Sequence, residues 1–537
     1  MVREALVVCA LIGGLQPVHG QILRDDFSKG DTAPIGWQLR EGAGAYEPPV
    51  GGRRFISVSG TGEDSSHWAR RLPELKPNSV YSLRFRARAD PGSTMYTLIS
   101  GLDVCNRDFA VSDSWQNYSF SFRTPSDVSR AFLRLGQWHL KGRILFSDVA
   151  LYEAVPLHQT TRNAGPSAEA GPTLGAGETI QADTYTFVAP LTGQGSNDSR
   201  CLMSHSAPFN SNRWVFTGGV DVVYKHSIHG VKQLGGAVTL NVNYRTGGEC
   251  LVYASKDGRL WFEAGRLDEL GSKTLQLPEA LYPTDEIYVK LAGASASELA
   301  GNSAPGAFQI DHYRYTAPVP RDTPDAFGST TYLETLRTTP ELKARVESLG
   351  DLGIGTDNTA RVRLAARGGA TGEIAVVVRI QPLQGDGKPS TFSSTARLQP
   401  GRETSVAVPY SMRTMGHMRI GISAVKTEAR KPTVLYAATA DVYVPVYYAA
   451  DYGRPLTPVL DGELWWCEGT YKIPPNRLPP PQEFGADLTD LKAVRGKGAI
   501  ALAAARRERE HVQLVFRPTD DPGPVSVSVS DLVSTRA

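Results

Sequence analysis

The chain has 537 residues, 57 basic and 55 acidic, for a formal charge of +2 with His neutral. So even a balance offers no broad field to steer the protein toward nucleic acid or anionic lipid, and a polyanion-binding role is disfavoured on electrostatic grounds. At about 150 residues per domain the length calls for three or four units; 53 Gly, 36 Pro and repeated period-2 apolar alternation make them all-β, tandem β-sandwich or jelly-roll modules.

Residues 1–20 carry one early cation, Arg3, an apolar run from Ala5 to Leu15, then Pro17 and Gly20. That order reads as a secretory signal peptide, and the run is too short to cross a bilayer, which takes about 20 apolar residues. No later stretch reaches that length, so no transmembrane segment is expected and the location is secreted, periplasmic or cell surface. Loss of the leader would remove Cys9 and leave Cys105, Cys201, Cys250 and Cys467. Cys201 and Cys250 share a predicted unit, so one disulfide between them stands as an alternative to four buried free thiols.

The first unit, 22–155, shows alternating strands at Phe55 to Val58, Tyr81 to Ala87 and Tyr118 to Phe122. Residues 156–177, rich in Ala, Gly, Pro, Ser and Thr without a period, read as a linker. The second unit, 178–317, has strands at Arg213 to Phe216, Ala237 to Tyr244, Leu251 to Ser255 and Ile287 to Leu291, with a hairpin signal at Lys256-Asp257-Gly258-Arg259. It ends on Gln309 to Ala317 much as the first ends on Phe146 to Ala154, which points to two jelly rolls.

A Pro-rich joint, 318–330, leads to a third unit, 331–448, with strands near Arg361 to Leu364, Ile374 to Ile380 and Ala437 to Tyr447; its size and alternation suit an immunoglobulin-like sandwich. The fourth unit, 453–537, reads as the incomplete start of a further sandwich. Its stretch from Ala499 to Glu510 would be helical on propensity alone.

Several phrases of the first unit belong together: Pro34-Ile35-Gly36-Trp37, Tyr81 to Arg88, Trp115-Gln116-Asn117-Tyr118, Leu135-Gly136-Gln137-Trp138 and Phe146-Ser147-Asp148-Val149. They resemble carbohydrate-binding modules of the cellulose-binding family 4 and 9 type, which implies a jelly roll and a polysaccharide or glycan partner. Sugar rings stack their C–H faces on aromatic planes and pair their hydroxyls with polar side chains. If Ala131, Leu133 and Leu135 point inward, then Arg134, Gly136 and Trp138 point outward. Likewise Tyr81, Leu83, Phe85 and Ala87 leave Ser82, Arg84, Arg86 and Arg88 on a polar face. The expected sugar contacts are therefore Trp138, Arg134, Arg84 and Arg86 around one sheet face, with Tyr96 a secondary candidate; Trp37, Trp68, Trp115 and Tyr118 are expected in the core.

The same resemblance implies a structural calcium near the chain ends, for which Asp25, Asp26 and Asp148 are the carboxylates in place; the ordinary alternative is solvated or capping acids. No other cofactor is expected. In the second unit Asp221, His226 and His229 have no spacing that fixes a shared metal geometry. Ser255 to Trp261 resembles the Asp-box hairpin of sialidase-like proteins, short by one spacer residue, and such a box is a folding turn.

The fourth unit carries Leu464-Trp465-Trp466-Cys467-Glu468-Gly469-Thr470-Tyr471, then Ala504 to Val515, then Val527 to Leu532. This resembles the β-sandwich that precedes the barrel in glycoside hydrolase family 123. The resemblance implies a strand, a turn at Arg506 to Glu510 and a second strand in place of the helix, followed by a catalytic (β/α)₈ barrel absent from this sequence. Hydrolysis in that family is substrate-assisted, with a neighbouring Asp and Glu on that later barrel, so no catalytic residue carries over to this sequence, and Glu508 and Glu510 are read as structural. No Ser-His-Asp order, phosphate-binding glycine loop or paired-cysteine motif occurs. The expected function is a non-catalytic carbohydrate-binding and spacer region of a secreted glycoside-hydrolase-like protein. The alternatives are a fragment of an active N-acetylhexosaminidase-type hydrolase, and a structural surface or adhesion protein.

Overall fold

The computed structural model describes residues 20–94, 97–162, 172–294, 308–321, 323–353, 358–367, 371–383, 387–412, 416–427, 432–444, 454–456, 462–468, 509, 511–518 and 523–528. Among the described residues there is no α-helix, and strands carry the architecture throughout. The reason is local: apolar and polar residues alternate with period 2 between Gly- and Pro-containing turns, so each strand can bury one face only against another sheet.

In the first unit the strands are β1 (Gln21–Asp25), β2 (Gln38–Glu41), β3 (Ala43–Tyr46), β4 (Ile56–Thr61), β5 (Ser65–Arg71), β6 (Val80–Ala89), β7 (Thr97–Leu102), β8 (Cys105–Ala110), β9 (Gln116–Arg123), β10 (Phe132–Trp138) and β11 (Lys141–Arg162). One sheet runs β3–β4–β11–β6–β9, with β1 also paired to β11. The facing sheet runs β2–β5–β10–β7–β8. Leu83, Phe85, Phe120, Phe122, Leu133 and Phe146 fill the space between, each fully buried or nearly so; burial of one such side chain stabilises by about 1.5–3 kcal/mol. Trp37 and Trp68 are core residues as expected, and the Trp68 indole donates to the Ser57 carbonyl at 2.8 Å.

The second unit comprises β12 (Glu178–Gln181), β13 (Thr184–Val188), β14 (Leu202–His205), β15 (Phe209–Asn210), β16 (Arg213–Phe216), β17 (Asp221–Ser227), β18 (Ala237–Arg245), β19 (Glu249–Ser255), β20 (Phe262–Leu267), β21 (Gly271–Gln276), β22 (Glu286–Ala294) and β23 (Phe308–Pro318). One sheet is ordered β14–β17–β22–β19–β20. In the other, β23 pairs with β13, β16 and β18, and β21 continues beyond β18.

The third unit holds β24 (Ala326–Arg337), β25 (Leu342–Ser348), β26 (Thr359–Ala366), β27 (Gly372–Pro382), β28 (Ser390–Leu398), β29 (Glu403–Pro409), β30 (Gly416–Lys426) and β31 (Thr433–Val444). It packs the sheet β24–β31–β30–β27–β28 against β25–β26–β29 around its own core of Val362, Val376, Val378, Ile420 and Ile422.

Of the fourth unit, β32 (Arg454–Leu456), β33 (Gly462–Glu468) and β34 (Val512–Pro518) form one antiparallel sheet with Trp465 and Trp466 buried. Residues 525–528 carry no strand assignment, and Val529 to Leu532 lie outside the described residues. Most of Ala499 to Glu510, including Glu508 and Glu510, lies outside the described residues.

The units are not beads on flexible connectors. Strand β11 runs for 22 residues: its first part belongs to the first unit, and Ala154 to Arg162 pair with Glu334 to Ala326 of the third. Residues 156–162, expected as linker, are therefore strand, and Leu157 is buried in the third unit's core. In the second joint, 326–330 belong to β24. Composition alone misses this because a strand buried by a neighbouring module need not alternate strongly. The first and second units are joined as well, through parallel pairing of β15 with β8 and a shared hydrophobic core. Arg123 of β9 donates to Asp198 at 2.7 Å, with Asp198 fully buried.

Candidate functional site

The sheet assignment separates residues that strand parity had grouped. Arg84 and Arg86 point outward from the β6 sheet, whereas Arg134 and Trp138 point outward from the opposite sheet. Parity tells which side chains leave the core on a given strand, not which sheet the strand joins, so the single sugar face expected from the sequence is in fact two faces.

On the β6 face, Arg84 is committed to the third unit. Its guanidinium donates to Glu334 at 2.5 Å and to Asp441 at 2.6 Å. Arg86 lies 3.4 Å from Asp148 and, with Arg88, caps the Trp115 ring at 5.4 and 5.6 Å. Trp115 is therefore half-buried on the outside of the sheet instead of in the core, whereas Tyr118 stacks on Phe85 at 5.2 Å. Most polar groups on this face already have partners.

The outer face of the β2–β5–β10–β7–β8 sheet is different. Registers across it align Glu41, His67, Gly136, Ile99 and Asp108 in one row, and Ala69, Arg134, Gly101 and Asn106 in the next. Four polar atoms here are buried without a hydrogen-bond partner: His67 Nε2, Arg134 Nε, Asp108 Oδ1 and Asn106 Oδ1. An unmade bond of this kind costs about 1–3 kcal/mol, and four such atoms fall on this one face.

Burial penalises the charge of Arg134, offset in part by Asp103, Asp108 and Glu41. His67 is held below its ordinary pKa, first by burial and then by Arg134; its Nδ1 lies 3.3 Å from Glu41, leaving Nε2 turned to the face. The floor is low because Gly101 and Gly136 lie beside Arg134: a Cβ on either would sit 2.6 Å from a backbone carbonyl oxygen.

Aromatic planes flank this trough. Phe132, covered by Arg40 at 4.8 Å and stacked on His67 at 6.0 Å, closes one end. Trp138 stands at the other, 51% exposed, its ring stacked on His139 at 4.5 Å. Trp138 and Arg134 are four residues apart on one strand, about 14 Å at 3.4 Å per residue. Sequence reasoning named these two and missed His67, Asn106, Asp108 and Phe132. The signal for His67 was present, because an inward Trp68 turns its neighbour outward; Cys105–Ala110 has too weak an alternation to read as a strand. Tyr96 lies outside the described residues.

The carboxylates set aside for calcium do not fit one. Asp25 accepts from the Phe27 amide at 2.9 Å, the Trp37 indole at 3.0 Å and Arg70 at 2.7 Å. Asp26 caps the Ser28 amide, and Asp148 is engaged by Ser147 and Arg86. N–H and O–H donors, two of them on the cationic Arg70 and Arg86, occupy the oxygens a hard cation would need, and no described group of three or more His, Cys, Asp or Glu is placed to hold a metal. Asp221 pairs with Ser206, His226 is buried in the core and His229 is exposed, so these three do not converge either. Cys201 and Cys250 are free, buried thiols, which corrects the disulfide expectation: the Cys201 thiol meets the Tyr185 hydroxyl, while Cys250 sits opposite Gly293 on β22.

A two-sheet sandwich with a polar, aromatic-flanked outer face and spare hydrogen-bonding capacity has the build of a carbohydrate-binding module. Residues 20–137 match the family model described as a carbohydrate binding domain. No curated protein matches the chain. Among solved structures, the N-terminal tandem of two family 22 carbohydrate-binding modules from Paenibacillus barcinonensis Xyn10C is 13% identical, covering 56% of this chain and 99% of its own, with a TM-score of 0.24. A putative β-galactosidase from Bacteroides fragilis is 12% identical over 48% of this chain and 35% of its own, with a TM-score of 0.15. A DUF4785 family protein from Legionella pneumophila is 8% identical over 80% of this chain and 98% of its own, with a TM-score of 0.15. Likenesses at these TM-scores carry no inference about function.

Proposed function

We propose that the first unit binds a polysaccharide across the outer face of β2–β5–β10–β7–β8, with Arg134, His67, Asn106 and Asp108 pairing sugar hydroxyls and Trp138 stacking a ring face. The gathering of His67, Arg134, Asn106 and Asp108 on one face flanked by Phe132 and Trp138 carries the reading, because sugar hydroxyls offer both donors and acceptors to such side chains and sugar C–H faces stack on aromatic planes. The second and third units act as a stiff spacer, a role supported by strands that cross the joints. The whole is a non-catalytic region of a secreted glycoside-hydrolase-like protein, in which binding would raise the local substrate concentration of a tethered catalytic domain.

Affinity electrophoresis of the full chain through a panel of polysaccharide gels tests this. Arg134→Met should weaken retention at least tenfold, since a charged hydrogen bond contributes about 1.5–3 kcal/mol and each 1.4 kcal/mol is tenfold. Trp138→Ala should weaken it comparably with no fall in melting temperature. Equal retention of both variants on every gel that holds the parent protein, or no retention of the parent on any gel, would overturn the reading.

A further inference from the structure

The second unit repeats the strand plan of the first. Each ends on a long strand, β11 or β23, and β5–β10–β7–β8 has its counterpart in β17–β22–β19–β20, in the same order of chain connection. On β22, Ile287, Val289 and Leu291 face the core, so Tyr288 and Lys290 face outward. Register places Val223, Lys290, Tyr253 and Glu263 in one row across four strands.

Lys290 is unusual on that face. Its ammonium lies 4.5 Å from the Trp261 ring centroid and 5.0 Å from that of Tyr253. The other two Lys and Arg residues on the strands of this sheet each have an acid, Lys225 with Glu286 and Arg266 with Glu249 and Glu263. Lys290 has none within 4.0 Å among the described residues. A half-buried ammonium between two rings is attracted to their faces, but its charge is not neutralised.

The Asp-box-like turn is what brings Trp261 there. Asp257 Oδ1 accepts from the Arg259 amide at 2.8 Å, the Leu260 amide at 2.9 Å and the Ser255 hydroxyl at 2.9 Å. The stapled loop folds back over the sheet, with Gly258 against Tyr288. Trp261 is thus held in place before any ligand arrives, which lowers the ordering cost of binding.

We propose that this face is a second glycan site, specific for an acidic sugar: a hexuronate unit rests its C–H face on Trp261 and Tyr253 and sets its carboxylate on Lys290. The near-neutral charge of the chain is no obstacle, because the recognition is one local ion pair and not long-range steering. It is independent of the first unit's face, since the two lie on sheets of different units.

The test uses the full chain carrying Arg134→Met, so that the first face is silent, on gels of polygalacturonate, alginate, dextran sulfate, which carries no uronate, and neutral β-glucan. Retention is expected on the two polyuronates and is weakened by salt. Adding Lys290→Gln should reduce it at least tenfold, and Trp261→Phe should retain more of it than Trp261→Leu. Unchanged retention of the Lys290→Gln variant at an unaltered melting temperature would overturn the proposal. So would retention only on the sulfated or neutral gels, or none on any acidic gel. If instead the Arg134→Met protein keeps full binding to neutral β-glucan, the first unit's assignment fails and this one still stands or falls on Lys290.

Discussion

Arg84→Met is expected to lower the unfolding free energy by about 3–5 kcal/mol, the usual cost of stripping one partner from a buried ion pair. Arg84 belongs to the first unit, yet its guanidinium is divided between Glu334 and Asp441 of the third, and Ser82 adds a bond to Glu334 at 2.6 Å. Glu334 is 3% exposed and has no other cation within reach among the described residues, so it would be left as an uncompensated charge. Asp441 is less vulnerable. Burial alone would raise its carboxyl, but Arg419, at 2.7 and 3.0 Å, and Arg84 together hold it below the usual range, and Arg419 would stay.

A paired Arg84→Met, Glu334→Leu variant should recover most of the loss, because removing both charges also removes both desolvation penalties. Urea unfolding of the single and double variants decides the matter: a single-variant loss under 1 kcal/mol would show that the cluster is not what locks the two units. The same variants separate the two outer faces of the first unit. If Arg84 is structural, polysaccharide retention per folded molecule stays at the parent level, whereas the outward parity of Arg84 on its own had predicted a sugar contact.

The all-β class was legible because period-2 alternation is a property of each strand alone. Strands such as Arg213–Phe216 and Gly372–Pro382 can be read from their own residues, and the matching ends of the first two units reappear as β11 and β23. What could not be read was pairing between distant strands. Nothing in Val80–Ala89 or Phe132–Trp138 states that they lie in opposite sheets, so Arg84 and Arg134 were joined on one face. Trp115 was assigned to the core because large aromatics are commonly buried, but Arg86 and Arg88 give it a cationic cover outside. Leu157 looked like part of a linker because the core that buries it belongs to another unit. The binding face was half legible: Trp138 and Arg134 follow from parity, while their neighbours across the sheet depend on register.

Acid should unfold the second unit well before its carboxylates titrate. His226 is wholly buried, stacked on Tyr315 at 4.0 Å with Nε2 at 2.8 Å from the Tyr313 hydroxyl, and its Nδ1 has no partner. Burial, and then Arg200, hold its pKa well below the ordinary 6.5. Burial likewise pushes His205 down to about 4, although its Nδ1 meets the Ala207 carbonyl at 2.8 Å. Both folded pKa values are depressed bases, so below pH 6.5 the unfolded chain binds protons that the folded chain refuses, and stability rises with pH. Each histidine then removes roughly 1.4 kcal/mol per pH unit as the pH falls from 6.5 toward its folded value. The pair together removes about 3 kcal/mol per unit near pH 5, and His67 and His158, also depressed by burial, add in the same direction. Above pH 7.5 neither state is protonated and the effect vanishes. Urea midpoints followed between pH 7.5 and 5 should therefore fall steeply. His226→Gln, whose amide can still pair with Tyr313, and His205→Gln should each flatten the slope by about one proton. A midpoint independent of pH over that window, or an unchanged slope in both variants, would mean that these histidines take up protons without unfolding, and that the aromatic core around Tyr185, Tyr313 and Tyr315 is open to water.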